Sequence, residues 1–308
     1  MKNEERVAIL LATYNGFRFL PELMTSLEKQ THDKWELYVR DDNSSDGTKD
    51  LLKSYEEKDG RIHVTYGEEQ FGASKNFAFL LNAVSHEDYV MFCDQDDIWI
   101  PQKIEKTLYE MKRKESCSHA NVPRIVFSGK QLVNENLQEI SEYKYGQKQN
   151  ISFHDILIQN PIYGCTMMIN KAALKLAQPL PEYAYLHDYY LALVTSAYGE
   201  ITFIDEPLIL YRQHENNVTG GSKNYSYINK IKSAGRINRL LQQEIYQNYM
   251  FCKNVVSDYI DGREYISMVE SPIVKRLFYA MRFNYRVRGL VQTMRLMIAL
   301  MTYSYNND

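Results

Sequence analysis

Apolar residues run unbroken through Val7–Thr13 (VAILLAT) and then recur at Phe19, Leu20, Leu23 and Leu27. An unbroken run suits a strand covered on both faces, whereas mixed three- and four-residue spacing marks one face of a helix. The alternation repeats. Strand patterns in WELYVRD (Trp35–Asp41), RIHVTY, YVMFC and RIVFSG are separated by helical ones in NSSDGTKDLLKSYEEK, ASKNFAFLLNAV and QKIEKTLYEMKRK. Ser45 or Asp46 is the expected cap of the second helix. Strands alternating with helices predict an α/β fold built on a mostly parallel, doubly wound sheet.

From Ile151 the pattern loosens. FHDILIQN reads as a short helix, YGCTMMIN as a strand, LHDYYLALVTSAYG as a helix, and EITFIDEPLILYRQH as a strand with an extended tail. The polar segment ENNVTGGSKNYS reads as a boundary, dividing a first domain at 1–219 from a mostly helical extension at 220–308.

Composition narrows the function classes. Hydrophobic residues make up 44% and charged residues 24%, enough for a sizeable core. A net charge of −3 carries no nucleic-acid footprint. Cys93, Cys117, Cys165 and Cys252 follow no metal or disulfide spacing, which fits a reducing, cytoplasmic setting, with Cys165 expected to be packing in an apolar strand. The opening MKNEERVAILLAT is not read as a signal peptide, because its short apolar segment meets a Tyr-Asn-Gly turn. No run reaches the roughly 18 to 20 apolar residues of a membrane span.

Candidate chemistry gathers where strands end. In a doubly wound sheet, ligands sit beyond the carboxyl ends of the strands. Three candidate strands end there in polar groups: Thr13-Tyr14-Asn15, Asp41-Asp42-Asn43 and Asp94-Gln95-Asp96-Asp97. The last set crowds three mutually repelling carboxylates. Asp94 and Asp96 can share a Mg²⁺ or Mn²⁺ ion, which is held by one or two carboxylates together with substrate phosphates. Such an ion would neutralise a departing diphosphate. Neither a P-loop nor a dinucleotide glycine fingerprint is present to do so instead.

These residues resemble a known family. VAILLATYNG, LPELMTSLEKQTHDKWELYVRDDNSSDGT, FGASKNFA and YVMFCDQDDIW, in that order, are similar to the nucleotide-diphosphosugar transferase core of glycosyltransferase family 2. GCTMMIN, LHDYYLALV and IDEPLILYRQHENNVTG resemble its bacterial rhamnosyltransferase-like branch. The resemblance implies a GT-A fold, an inverting mechanism and a metal-dependent nucleotide-sugar donor. It places Ala12, Thr13, Tyr14 and Asp42 at the base and ribose, with Asp42 accepting from the pyrimidine ring N–H, and Lys75 near the nucleotide. Asp94 and Asp96 match the DxD signature, with Asp96 as direct metal ligand and Asp97 capping the next turn. Asp188 matches the general base, the alternative being a helix N-cap, and His187 would touch the acceptor or orient Asp188. Arg212 and His214 are implied at the metal or diphosphate. The absence of a Gln-x-x-Arg-Trp signature argues against a processive polymerase.

The resemblance implies transfer of one sugar, L-rhamnose from a dTDP donor being the specific expectation and UDP the other nucleotide, to a cell-surface polysaccharide or lipid-linked saccharide. Two rivals stand beside it: a sugar nucleotidyltransferase, which lacks its Gly-rich basic loop here, and a non-catalytic sugar-nucleotide-binding scaffold. The C-terminal residues 272–308 add a last element. They hold six basic residues (Lys275, Arg276, Arg282, Arg286, Arg288, Arg295) against one acid, Asp308. Val287, Leu290, Val291, Met294, Met297, Ile298 and Met301 share a helical stripe. A basic amphipathic helix of this kind predicts peripheral contact with the inner face of the membrane, or packing on the chain's own core or a second subunit.

Overall fold

A computed structural model describes residues 5–84, 86–117, 121–144, 151–214, 227–285 and 290–304. The boundary segment 215–226 and Arg286, Val287 and Arg288 of the basic tail lie outside the described residues.

Eight strands form one sheet: β1 (Val7–Thr13), β2 (Trp35–Asp41), β3 (Ile62–Tyr66), β4 (Tyr89–Asp94), β5 (Ile98–Trp99), β6 (Arg124–Val133), β7 (Met167–Asn170) and β8 (Glu200–Arg212). Their order is β3-β2-β1-β4-β7-β6-β8-β5. The expected parallel half is β3-β2-β1-β4, with Val7 to Ala12 of β1 registered against both Trp35 to Arg40 and Tyr89 to Asp94. Helices α1 (Leu20–Glu28), α2 (Thr48–Lys58) and α3 (Ala73–Ala83) make the crossovers, and α4 (Lys103–Ser116) follows β5. Val7 to Leu11 are fully buried, as an unbroken apolar strand requires.

The other half is mixed. β7 is antiparallel to both β4 and β6, β6 and β8 are parallel, and β5 closes the edge antiparallel to β8. Only Met167–Asn170 of the YGCTMMIN segment is strand; Gly164–Thr166 is a 3-10 turn. The expected cap of α2 is also corrected. Gly47 is the N-cap, in the left-handed region at φ 93°, and Asp46 instead accepts the Thr48 amide and hydroxyl one residue earlier.

The chain divides into two compact units. The first holds the sheet, α6 (Lys171–Ala177) and α7 (His187–Tyr198); the second takes residues 152–161, 181–185 and the chain from Lys223 on. In the second unit, α5 (Phe153–Ile158) accompanies α8 (Tyr227–Val255), α9 (Ile260–Glu270), α10 (Ile273–Arg282) and α11 (Leu290–Thr302). Arg276, counted among the basic tail residues, is buried here: its guanidinium donates to the carbonyls of Ser271, Leu300 and Tyr303 and ties α10 to α11. Among the described residues no helix is long and apolar enough to cross a membrane.

Candidate active site

The carboxyl ends of β1, β2 and β4 meet at one edge of the sheet. Thr13 donates to Asp41 Oδ1 at 3.1 Å, and Asp41 also accepts the Ser44 amide and hydroxyl. The Asn15 amide donates to the Ser44 hydroxyl at 2.8 Å, and Asn15 Oδ1 accepts from the Ser45 amide at 2.9 Å. Gln95 joins this net to the acidic turn: its side chain accepts from the Tyr14 amide (2.9 Å) and donates to the Tyr14 carbonyl (3.0 Å). Gly16 leaves space for this contact, because a Cβ there would displace the Gln95 amide.

Around this edge Ala12 is half-buried, Thr13 buried and Tyr14 exposed. Asp42 is buried and already accepts three hydrogen bonds, from the Arg40 guanidinium (2.8 Å), the Phe71 amide (2.8 Å) and the Gly72 amide (2.7 Å). A carboxylate has about four lone-pair sites, so one acceptor position remains. Asp42 thereby fixes the loop that starts α3. Lys75 lies on the exposed side of the first turn of α3.

The three carboxylates after β4 do different things. Asp96 meets His214, whose Nε2 is 2.7 Å from Asp96 Oδ2, while the imidazole rests against the Phe19 ring. Asp94 and Asp97 have their carboxylate oxygens within 4.8 Å of the Cys165 Sγ and of one another. Cys165 packs in the hydrophobic core as expected, though in the 3-10 turn and not in the strand, with its thiol beside these two acids. Asp97 caps no turn; it is buried and accepts the Arg212 amide at 3.0 Å, and among the described residues no donor reaches its Oδ2. Burial, then the charge of Asp96, pushes the Asp94 carboxyl up to about 7. Burial, then the charges of Asp96 and Asp94, raises Asp97 well above the carboxylate range.

Two buried cations bind backbone carbonyls beside these carboxylates. The Arg212 guanidinium donates to the Asp96 carbonyl (2.8 Å), the Glu135 carbonyl (2.5 Å) and the Glu22 carboxylate (2.5 Å), and lies over the Phe19 ring. Being 1% exposed, it serves as a buried clamp of the acidic turn, which corrects its expected place at the metal or diphosphate. Lys103, fully buried, donates to the Cys165 carbonyl and sits over the Trp99 ring. Burial lowers its pKa, and the nearby charges of Asp97 and Asp94 oppose that shift.

The 3-10 turn at Gly164–Thr166 connects this cluster to α7. Asp188 Oδ2 accepts the Gly164 amide at 3.0 Å, and Oδ1 accepts the Tyr189 amide at 2.7 Å. Leu186, not Asp188, is the N-cap, so Asp188 lies within the first turn, where the helix dipole favours a carboxylate. His187 does not orient Asp188. Its ring packs against Phe77 and Phe92 (centroids 4.2 and 5.1 Å), and among the described residues neither ring nitrogen has a partner. Burial lowers its pKa, so it is held neutral.

A residue absent from the sequence reading faces the same space. Lys130 lies at an irregularity in the β6–β8 pairing, where the register shifts between Gly129 and Gln131. Its Nζ sits 2.9 Å from the Tyr163 ring centroid and 4.0 Å from that of Tyr211. Burial brings its pKa down to about 8, against the charges of Asp97, Asp94 and Asp188 among others. No sequence signal marks Lys130, since the bulge that aims it exists only once β6 and β8 pair.

The sequence pattern described as Glycosyl transferase family 2 matches residues 8–176, more than half of the chain. The chain belongs to that family. It is 33% identical over 166 residues to the Putative teichuronic acid biosynthesis glycosyltransferase TuaG of Bacillus subtilis, covering 54% of this chain and 62% of TuaG. It is 28% identical over 253 residues to the dTDP-rhamnosyl transferase RfbG of Shigella flexneri, covering 76% of this chain and 82% of RfbG. Among solved structures, residues 1-349 of S. aureus TarS in complex with UDP-GlcNAc superpose with a TM-score of 0.56 at 14% identity, covering 96% of this chain and 89% of that TarS 1-349 chain. The mannosyltransferase PcManGT from Pyrobaculum calidifontis, in complex with GDP-Man and Mn²⁺, gives 0.55 at 12% identity, covering 97% of this chain and 87% of PcManGT. At such identities the likeness concerns the fold, which is the GT-A fold. Among the described residues, the ligand atoms gathered within 4.8 Å of one another are those of Asp94, Asp97 and Cys165, while Asp96 pairs with His214; carboxylate oxygens of this kind suit Mn²⁺ or Mg²⁺. Within that group Asp97 Oδ2 is buried, and among the described residues it has no hydrogen-bond partner.

Proposed function

We propose that this chain is an inverting, divalent-cation-dependent glycosyltransferase. It moves one sugar from a nucleoside diphosphate donor to a polysaccharide or lipid-linked saccharide. One observation carries the reading: a single tight turn holds the Asp188 carboxylate through the Gly164 amide and sets Cys165, the next residue, against Asp94 and Asp97. A base and an acidic donor-side cluster are thereby tied to one rigid element.

Asp188 takes the acceptor hydroxyl proton as its oxygen attacks the anomeric carbon from the face opposite the diphosphate. The two backbone amides that bind Asp188 fix its direction before the acceptor arrives. Ala12, Thr13 and Tyr14 line the nucleotide end, and the remaining acceptor position of Asp42 suits a pyrimidine ring N–H. Lys75 borders that end from α3. Asp96, His214 and Asp94 would hold a Mn²⁺ or Mg²⁺ ion, which when bound neutralises diphosphate oxygens.

The RfbG similarity, spanning most of both chains, favours L-rhamnose from a dTDP donor. A lipid-linked acceptor would account for the exposed face of α10 and α11, where Val274 is 82% exposed and Phe278 and Met281 stand beside Lys275 and Arg282. We assign that face to peripheral contact with an anionic membrane at the cytoplasmic side.

Nucleoside diphosphate release from dTDP-, UDP- and GDP-sugars, with and without Mn²⁺ or Mg²⁺ and in the presence of lipid-linked acceptors, tests the reading. Metal-dependent release from one donor is expected. Asp188→Asn should keep donor binding and lose at least about 100-fold in transfer, the scale of general-base catalysis. Asp96→Ala should weaken metal-dependent donor binding. Wild-type turnover by Asp188→Asn would refute the base assignment.

A further inference from the structure

Lys130 stands out as a charged side chain that the mechanism above leaves idle. The bulge in β6 aims it out of the strand's regular alternation, and bulges of this kind gather beside active sites because they re-aim a side chain. Gly129, just before it, is required by the packing, since a Cβ there would collide with the Tyr143 ring, whose hydroxyl donates to Asp205 at 3.0 Å. The bulge is therefore anchored and not a loose end.

The ammonium lies in a slot between the Tyr163 and Tyr211 rings, whose centroids are 5.9 Å apart. Aromatic faces attract a cation but take none of its hydrogen bonds. Its three N–H donors are thus held in place by the rings, in the field of Asp97, Asp94 and Asp188. Burying an ammonium in that way costs free energy unless a partner arrives. Carboxylates alone do not explain the placement, because Lys103 and Arg212 already lie against that cluster. The ligand that brings new negative charge to this position is the diphosphate of the donor.

We propose that Lys130 is a second cationic contact of the leaving group, donating to an oxygen of the nucleoside diphosphate. This inference rests on the glycosyltransferase reading. As the acceptor oxygen bonds to the anomeric carbon and its proton passes to Asp188, the anomeric C–O bond breaks and its electron pair stays on the diphosphate. Lys130 stabilises the charge that appears there. The contact strengthens during the reaction, so it contributes to turnover as well as to binding.

The test compares calorimetric binding of a nucleoside diphosphate and the matching monophosphate, dTDP against dTMP and UDP against UMP, at saturating Mn²⁺. In Lys130→Met, affinity for the diphosphate should fall about 10- to 100-fold, the scale of a charge-assisted hydrogen bond. Affinity for the monophosphate should change by less than about 2-fold, and Lys130→Arg should restore part of the loss. Unchanged diphosphate affinity in Lys130→Met overturns the proposal and leaves the enzyme reading intact. An equal loss for both nucleotides, with a lowered Tm, assigns Lys130 a structural role and likewise overturns it. Wild-type protein that binds neither nucleotide would overturn the glycosyltransferase reading together with this one.

Discussion

Asp94, Asp96 and Asp97 fall within four residues of one another yet occupy three environments. Asp96 pairs with His214, Asp94 faces Cys165, and Asp97 is sealed beneath the Arg212 backbone. Their charge sets a pH dependence whose sign can be worked out. Asp94 and Asp97 have folded pKa values above the ordinary aspartate value, Asp94 at about 7, so the folded state binds more protons than the unfolded one between roughly pH 4 and 7. Stability of the metal-free protein should therefore fall as pH rises through that window. Melting temperatures measured in chelator from pH 5 to 7.5 should decline, and Asp97→Asn should flatten the slope. A flat wild-type profile would show that the buried carboxylates do not resist ionisation. Residue identity alone pointed to these carboxylates, because three acids at the end of an apolar strand have few structural uses. Which acid is sealed and which faces His214 depends on Arg212 and His214, more than 110 residues along the chain.

At the scale of elements, the site is a set of strand ends and turns locked by backbone geometry. Gln95 spans the ends of β1 and β4 by pairing with both polar groups of Tyr14, and it lies directly against Gly16. Gly16→Ala should push the Gln95 amide away and break both bonds, a loss of about 1 kcal/mol at two exposed hydrogen bonds. Tm should drop and nucleotide affinity should weaken with it, since Tyr14 loses its tether. Gln95→Ala should reproduce the loss of affinity; if it binds nucleotide as the wild type does, the tether has no bearing on the site. Helices α1 to α5 and α7 were legible from their apolar spacing, and so were the first four strands, whereas the short α6 (Lys171–Ala177) was not among them. β7 was only half legible. Four residues of strand followed by an antiparallel pairing leave the same apolar signature as a longer parallel strand, and the 3-10 turn before it carries Gly164 and Cys165 without a distinctive local pattern.

Across the whole molecule, the two units have opposite surface chemistry. Residues 271–304 contain no Asp or Glu, and Ile273, Val274, Phe278, Met281, Val291, Met294 and Ile298 are exposed beside Lys275, Arg282 and Arg295. Each such cation near anionic lipid is worth about 1 kcal/mol, added to insertion of the apolar side chains. The full chain should sediment with vesicles containing anionic lipid and much less with zwitterionic ones. Replacing Phe278 and Met281 by Glu should abolish sedimentation while leaving binding of the donor nucleotide unchanged. Equal sedimentation of that variant would rule the face out, and concentration-dependent self-association without lipid binding would assign it to a second copy instead.

The chain by itself determined the alternation of elements, the parallel half of the sheet, the buried strand cores and the identity of the acidic turn. Each of these follows from short-range periodicity or from residue types whose chemistry is hard to satisfy otherwise. Tertiary structure alone decided that Arg212 clamps instead of binding substrate, that His187 is packed between two phenylalanines, and that Lys103 and Lys130 carry charge into the site. Those roles rest on pairings between residues far apart in sequence, and on one bulge in β6, and no local pattern encodes which distant surfaces will meet.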